Sequence, residues 1–206
     1  MTSPRAEESL VTAAVRRRAG DRYAAAEDEV RRLLDVGLEL MRADPAGSPR
    51  ISEIVRLAKV SNDAFYRAFR SKDDLMAAIA DDGSRRLLGY IGHQRDKHSD
   101  PADQVRACVR AVFAQAADPE VAATTRAVLR HASRDPSAGS VAIRRRIAEL
   151  LVEPLRELGS TDPDRDALTG SCATFAVMEQ FLWAEDRPTE DDVEHLVGWV
   201  LPRADG

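Results

Sequence analysis

Between Lys59 and Leu75 the chain reads KVSNDAFYRAFRSKDDL, a serine, an asparagine, an aspartate, a tyrosine and several cations set around two phenylalanines. These are the side-chain types that hydrogen-bond phosphate oxygens and base edges: hydroxyl, amide, carboxylate and guanidinium. If the stretch from Asn62 to Phe69 is a short helix, Phe65 and Phe69 share one side of it at i, i+4. Asn62, Asp63, Tyr66 and Arg67 then face outward. That face fits the reading of a nucleic acid, and it equally fits an ordinary mixed-charge helix surface.

The elements that would position those residues are legible around them. ISEIVRLA, from Ile51 to Ala58, reads as a second short helix, and only Lys59, Val60 and Ser61 link the two, with Ser61 placed as N-cap. Ile54, Val55, Ala58, Val60, Phe65 and Phe69 supply a shared apolar side. A longer helix over about Ala24 to Arg42 carries Val30, Leu33, Leu34, Gly37, Leu38 and Met41 on one stripe and can brace the pair. Two short helices with a tight turn and a brace form a helix-turn-helix. Ser71, with Asp74 three residues on, opens a further helix of about Lys72 to Arg95.

Beyond KHSDP the pattern remains helical, with helices expected at about Ala102–Ala117, Glu120–Ser133, Val141–Leu158, Asp164–Glu185 and Thr189–Leu201. Pro154 falls inside the third of these and is expected to kink it. The expected fold class is therefore all-α with about nine helices, divided into a basic N-terminal extension (1–23), a three-helix helix-turn-helix head (24–78) and a helical body (79–206).

Composition narrows the function classes. Hydrophobic residues make up 44% and charged residues 32% of the 206, as in soluble globular chains. No run is apolar for the roughly 20 residues a membrane span needs, and the start lacks a signal-peptide core, so a cytoplasmic protein with no membrane partner is expected. The net charge of −5 is uneven: residues 1–72 hold 14 basic and 11 acidic side chains, the rest 16 and 24. Cys108 and Cys172 lack CxxC spacing and are expected as reduced core residues. His93, His98, His131 and His195 show no ligand spacing with one another or with cysteine, which argues against a metal, and no cofactor is expected. No phosphate-cradling glycine loop, GxSxG elbow, HExxH pair or nucleophile with its base is present, so no enzyme is expected.

ISEIVRLAKVSNDAFYRAFRSKDDLMAAI resembles the DNA-binding signature of the TetR (tetracycline-repressor-like) family, with Ile54, Ala58, Val60, Ser61, Tyr66, Phe69, Ser71, Lys72 and Leu75 at the matching spacings. The late stretch MEQFLWAEDRPTEDDVEHLVGWVL is similar to the last two helices of many members. The resemblance implies that Tyr66 and Lys72 hold backbone phosphates and that Ser61, Asn62, Asp63 and Arg67 lie in or beside the major groove. Asn62 would suit adenine, Asp63 a cytosine amine, and Arg67 guanine or phosphate. The chain departs from the family pattern twice. Lys59 replaces the turn glycine, at a cost of roughly 1 kcal/mol if the position needs positive φ. Arg50 replaces a capping threonine, so Ser48 or Ser52 is expected to cap while Arg50 faces phosphate.

For the body the resemblance implies a homodimer and a small-molecule pocket. The last two helices are expected to pair with their twins through Leu168, Phe175, Leu182, Trp183, Val193, Leu196 and Val200. A largely apolar effector is expected among Val105, Val109, Val112, Phe113, Val128, Leu129, Ile147, Leu151, Phe175 and Met178, oriented by Gln115, Thr125, Arg126, His131 or Glu179. The implied function is a ligand-responsive, DNA-binding transcriptional repressor. The alternative is a dimeric helical scaffold whose head no longer binds DNA specifically.

Overall fold

The computed structural model describes residues 10–44, 47–132 and 136–202. Among these are nine helices and no strand: α1 (Leu10–Ala43), α2 (Ile51–Ala58), α3 (Asn62–Ala68), α4 (Lys72–Arg95), α5 (Pro101–Ala117), α6 (Pro119–Ala132), α7 (Pro136–Glu157), α8 (Pro163–Ala184) and α9 (Glu190–Val200). The all-α reading holds, and most bounds fall within a residue or two of expectation.

The differences, small and large, have physical reasons. α5, α6 and α8 each start on the proline of an Asp-Pro pair, because proline suits the first helical position and the aspartate caps the next turn. Asp100 accepts the Asp103 N–H at 3.0 Å, Asp118 those of Glu120 and Val121 at 2.9 and 3.0 Å, and Asp162 that of Arg165 at 3.3 Å. α7 likewise opens on a proline, well ahead of the expected Val141, and continues a turn past Pro154, whose carbonyl accepts the Leu158 N–H at 3.1 Å. Ser133, expected as the end of α6, lies outside the described residues. α1 starts far ahead of Ala24, so the stretch from residue 10 to 23 is helix continuous with the brace. At α9, Thr189 and Asp192 form a reciprocal capping box, with the Thr189 N–H donating to the carboxylate at 2.8 Å. That bonding holds the Asp192 carboxyl below its usual range.

Buried side chains gather in two clusters. The smaller joins Leu33 and Met41 of α1, Ile54, Val55 and Ala58 of α2, Phe65 and Phe69, and Leu75, Met76 and Ile79 of α4. Ala127 of α6, fully buried, completes it. α1 and α4 cross closely at Gly37, where a Cβ would lie 2.7 Å from Ile79 Cδ1. The larger cluster lies between α5, α7, α8, α9 and the end of α4, around Phe113, Leu151, Leu155, Met178 and Leu182.

Two expectations need correction here. Phe175, Leu182, Val193, Leu196 and Val200, expected to face a second copy, are buried within the chain itself. The apolar periodicity of α8 and α9 marks the side turned to α5 and α7, and sequence alone does not separate the two uses. Cys172, expected in the core, is exposed on α8, whereas Cys108 is buried and its thiol is pushed up to about 12 by that burial.

Candidate nucleic-acid interface

The geometry of the α2–α3 turn follows from the residues that end and start its helices. Lys59 adopts the left-handed conformation (φ 55, ψ 42). Its N–H donates to the Arg56 carbonyl at 3.4 Å, and the Val60 N–H donates to the Val55 carbonyl at 3.1 Å. This is the Schellman ending, usually built on glycine, and lysine there costs roughly 1 kcal/mol. A third α2 carbonyl, that of Ala58, accepts from Arg32 Nε of α1 at 3.2 Å. α3 then starts on Ser61, whose Oγ accepts the Ala64 N–H at 3.1 Å. Both the positive φ and the serine cap stand where the sequence put them.

Phe65 and Phe69 fix the roll of α3. Phe65 is fully buried and Phe69 nearly so, with ring centroids 5.8 Å apart. Asn62, Asp63, Tyr66 and Arg67 are exposed as a consequence, and so is Ser61. Tyr66 packs edge-on to Phe65 at 5.3 Å yet stays 59% exposed. The Arg67 guanidinium lies 3.9 Å from the Glu29 carboxylate of α1. Neither that pair nor the Arg32 contact has a sequence signal, because each joins residues at wide separation on solvent-facing sides.

The start of α4 completes the surface. Ser71 Oγ accepts the Asp74 N–H at 3.1 Å, and the Asp74 carboxylate accepts the Arg70 N–H at 2.9 Å. This near-capping box sets Lys72 in the first turn, where its ammonium donates to Ser48 Oγ in the loop ahead of α2. The expected cap of α2 is absent: Arg50 precedes the helix in extended conformation, exposed, and no side chain caps it. Ser48 is occupied by Lys72, and Ser52 lies within the helix. Lys72 and the loop leading to Arg50 are thereby brought together, while Ser61 to Arg67 share α3.

The residues expected to bind an effector sit elsewhere. Val109, Phe113, Ile147, Leu151, Phe175 and Met178 are buried, and Leu129 is partly buried against them. Arg126 donates to the Leu182 carbonyl at 3.4 Å. Glu179 pairs with Arg144 at 2.9 Å, and that guanidinium lies 5.7 Å over the Phe175 ring. A cleft of about 300 Å³ opens instead between α1, α4, α5 and α6, with Leu34, Leu38, Ile79, Tyr90 and Asp82 on its walls. Of the residues expected around an effector, Gln115 and Val128 line it. No helix of the described residues is long and apolar enough to cross a membrane.

Comparison with known proteins places these features. The family described as bacterial regulatory proteins, tetR family, matches residues 33–79, the span from the brace through the start of α4. No curated relative matches the chain. Among solved structures, a TetR-family transcriptional regulator from Streptomyces coelicolor is 23% identical, with 89% of this chain and 96% of that one covered and a TM-score of 0.60. A TetR-family regulator from Pectobacterium atrosepticum is 21% identical (86% and 90% covered, TM-score 0.62). The fatty acid degradation regulator FadR from Bacillus halodurans is 16% identical (86% and 96% covered, TM-score 0.62). At these identities the structures establish a common fold. The tetR family model of bacterial regulatory proteins thus matches the helix-turn-helix itself, and the fold shared with these regulators extends along most of the chain.

Proposed function

We propose that the protein is a homodimeric transcriptional repressor that reads duplex DNA with α3 of each copy and releases it when a small, mainly apolar molecule binds. The observation that carries this reading is the outward face of α3. Phe65 and Phe69 are committed to the core, Ser61 satisfies the helix start, and Asn62, Asp63, Tyr66 and Arg67 are left exposed together. In this reading residues 24–78 are the DNA-binding head and residues 79–206 the regulatory body.

The roles follow from chemistry. Tyr66 offers its hydroxyl, and Lys72 its ammonium in a helix first turn, to backbone phosphates. Lys72 exchanges the Ser48 hydroxyl for a phosphate oxygen, and Arg50 supports it from the uncapped start of α2. Asn62, Asp63 and Arg67 supply amide, carboxylate and guanidinium to base edges beside Ser61.

One such helix reads too few base pairs, so two must sit about 34 Å apart in successive major grooves. Leu168, Trp183 and Trp199 remain 43%, 47% and 51% exposed after the core is filled, and with Cys172 and Ala176 they give α8 and α9 an outward apolar surface for a second copy. For the effector the 300 Å³ cleft fits a small ligand. It lies beside Ala127, where α6 enters the head cluster, so an occupant that favours one setting of α1 and α4 against α6 shifts the DNA-binding equilibrium.

Enrichment from a pool of random-sequence duplexes tests the reading. Recovered sequences should contain two inverted half-sites about one helical turn apart. Recovery of no common sequence, with a dimer still present in solution, would favour a scaffold that has lost specific DNA binding.

A further inference from the structure

The basic run Arg16, Arg17, Arg18 has no part in the reading above. It lies on α1, whose packing against the head begins near Val30 and Leu33. Every described side chain from residue 15 to residue 28 is exposed, Tyr23 at 74%. A helix exposed on all sides gains nothing from tertiary packing, which is the main source of helix stability in proteins. Its surroundings in the working protein must supply the difference. Charge complementarity identifies the class of partner: residues 15–22 hold Arg16, Arg17, Arg18 and Arg22 against Asp21 alone, inside a chain of net charge −5. Glu27 and Asp28 lie nearer the head, so the positive charge is concentrated at the far end of the arm, and a cationic tip on an acidic protein suits a polyanion.

The point at which this arm leaves the packed head is fixed by two contacts. Glu29 lies 3.9 Å from Arg67, and Arg32 Nε lies 3.2 Å from the Ala58 carbonyl. α1 therefore departs beside the last turn of α3 and the α2–α3 turn. From Glu29 back to Arg16 the helix runs about 20 Å at ~1.5 Å per residue, the length of about six base pairs at ~3.4 Å each.

We infer that this arm is a second DNA contact, with Arg17, Arg18 and Arg22 engaging phosphates outside the stretch that α3 reads. The inference rests on the DNA-binding reading, and its test separates the two. The full chain and an Arg17→Ala/Arg18→Ala/Arg22→Ala variant are titrated with an enriched duplex in two forms. One is trimmed to the bases read by both subunits; the other is extended by about ten base pairs on each side, enough to cover the arm's reach.

The native chain is expected to bind the extended duplex roughly tenfold tighter at low salt, with a steeper salt dependence. The alanine variant should lose that advantage while binding the trimmed duplex as the native chain does. Lysine at the same three positions should restore most of it, and circular dichroism should show unchanged helix content. Equal native affinity for both duplexes, an advantage that survives the alanine changes, or a loss equal on both duplexes would overturn the arm contact while leaving the α3 reading in place. If the native chain binds neither duplex, the DNA-binding reading fails and the arm contact fails with it.

Discussion

The cluster around Phe65 sets the short helices α2 and α3 against the long α1 and α4, with one face of α3 left in solvent, whereas the cluster around Phe113 lies where α5, α7, α8 and α9 meet. In the head, burying two aromatic rings leaves a defined set of polar side chains outside, so packing and the candidate function use opposite sides of one helix. In the body most of the apolar residues that could have lined a pocket or a dimer face are taken up by the core, Leu168 and Trp183 excepted. A short helix with few core positions therefore advertises its free face, and long helices with many core positions conceal theirs.

The largest effect should come from breaking the smaller cluster. Phe65→Ala is expected to cost about 3–5 kcal/mol, more than a core of this size tolerates. DNA binding should vanish and calorimetry should show the head melting early, while near-UV signals from Trp183 and Trp199 in the body persist. Simultaneous loss of those signals would mean that head and body share one cooperative unit and not two separately stable clusters.

Next in size are changes on the outward face. Lys72→Ala and Tyr66→Phe should each weaken binding about tenfold, equivalent to ~1.4 kcal/mol, across all sequences. Tm should not move, because both side chains act outside the core. Asn62→Ala should instead blur preference at one base position, which repeated sequence enrichment would reveal.

Smaller still are the helix ends. Three helices finish on a left-handed residue: α2 on Lys59 (φ 55), α8 on Glu185 (φ 55), and α7 on Gly159 (φ 87). Lys59→Gly and Glu185→Gly should each stabilise the protein by about 1 kcal/mol, read from denaturant midpoints. Only the head change should also alter DNA affinity, since Lys59 is exposed in the turn beside α3. Ser61→Ala should cost about 1 kcal/mol through loss of the cap.

The smallest expected difference concerns the thiols. Cys108 should react with a thiol reagent only on unfolding, because burial pushes its thiol up to about 12, whereas Cys172 on the outward face of α8 should react in a single subunit and be shielded where a second copy covers that face. Mass spectrometry of the labelled chain would count the modified positions.

Legibility in the sequence followed the range of the forces involved. Helix starts and the α2–α3 turn were readable because caps and left-handed endings depend on neighbours three to five residues away; Ser61, Ser71 and Lys59 are examples. The roll of α3 was readable because Phe65 and Phe69 leave one choice of buried side. The early start of α1 was not readable, since an exposed basic helix has no apolar stripe to announce it. Nor was the fate of Phe175, Val193 and Leu196, whose periodicity says that they are buried without saying against what. The cleft between α1, α4, α5 and α6 depends on how separate helices cross, and that information is tertiary.

The most direct test of the α3 surface is the salt dependence of binding to one enriched duplex, measured for the native chain and for Lys72→Ala. If Lys72 of each copy neutralises a phosphate, the log–log slope of affinity against salt should become shallower by about 1.8 for the dimer, at ~0.9 per phosphate released. Parallel lines for the two proteins would contradict the phosphate contact and, with it, the placement of α3 in the groove.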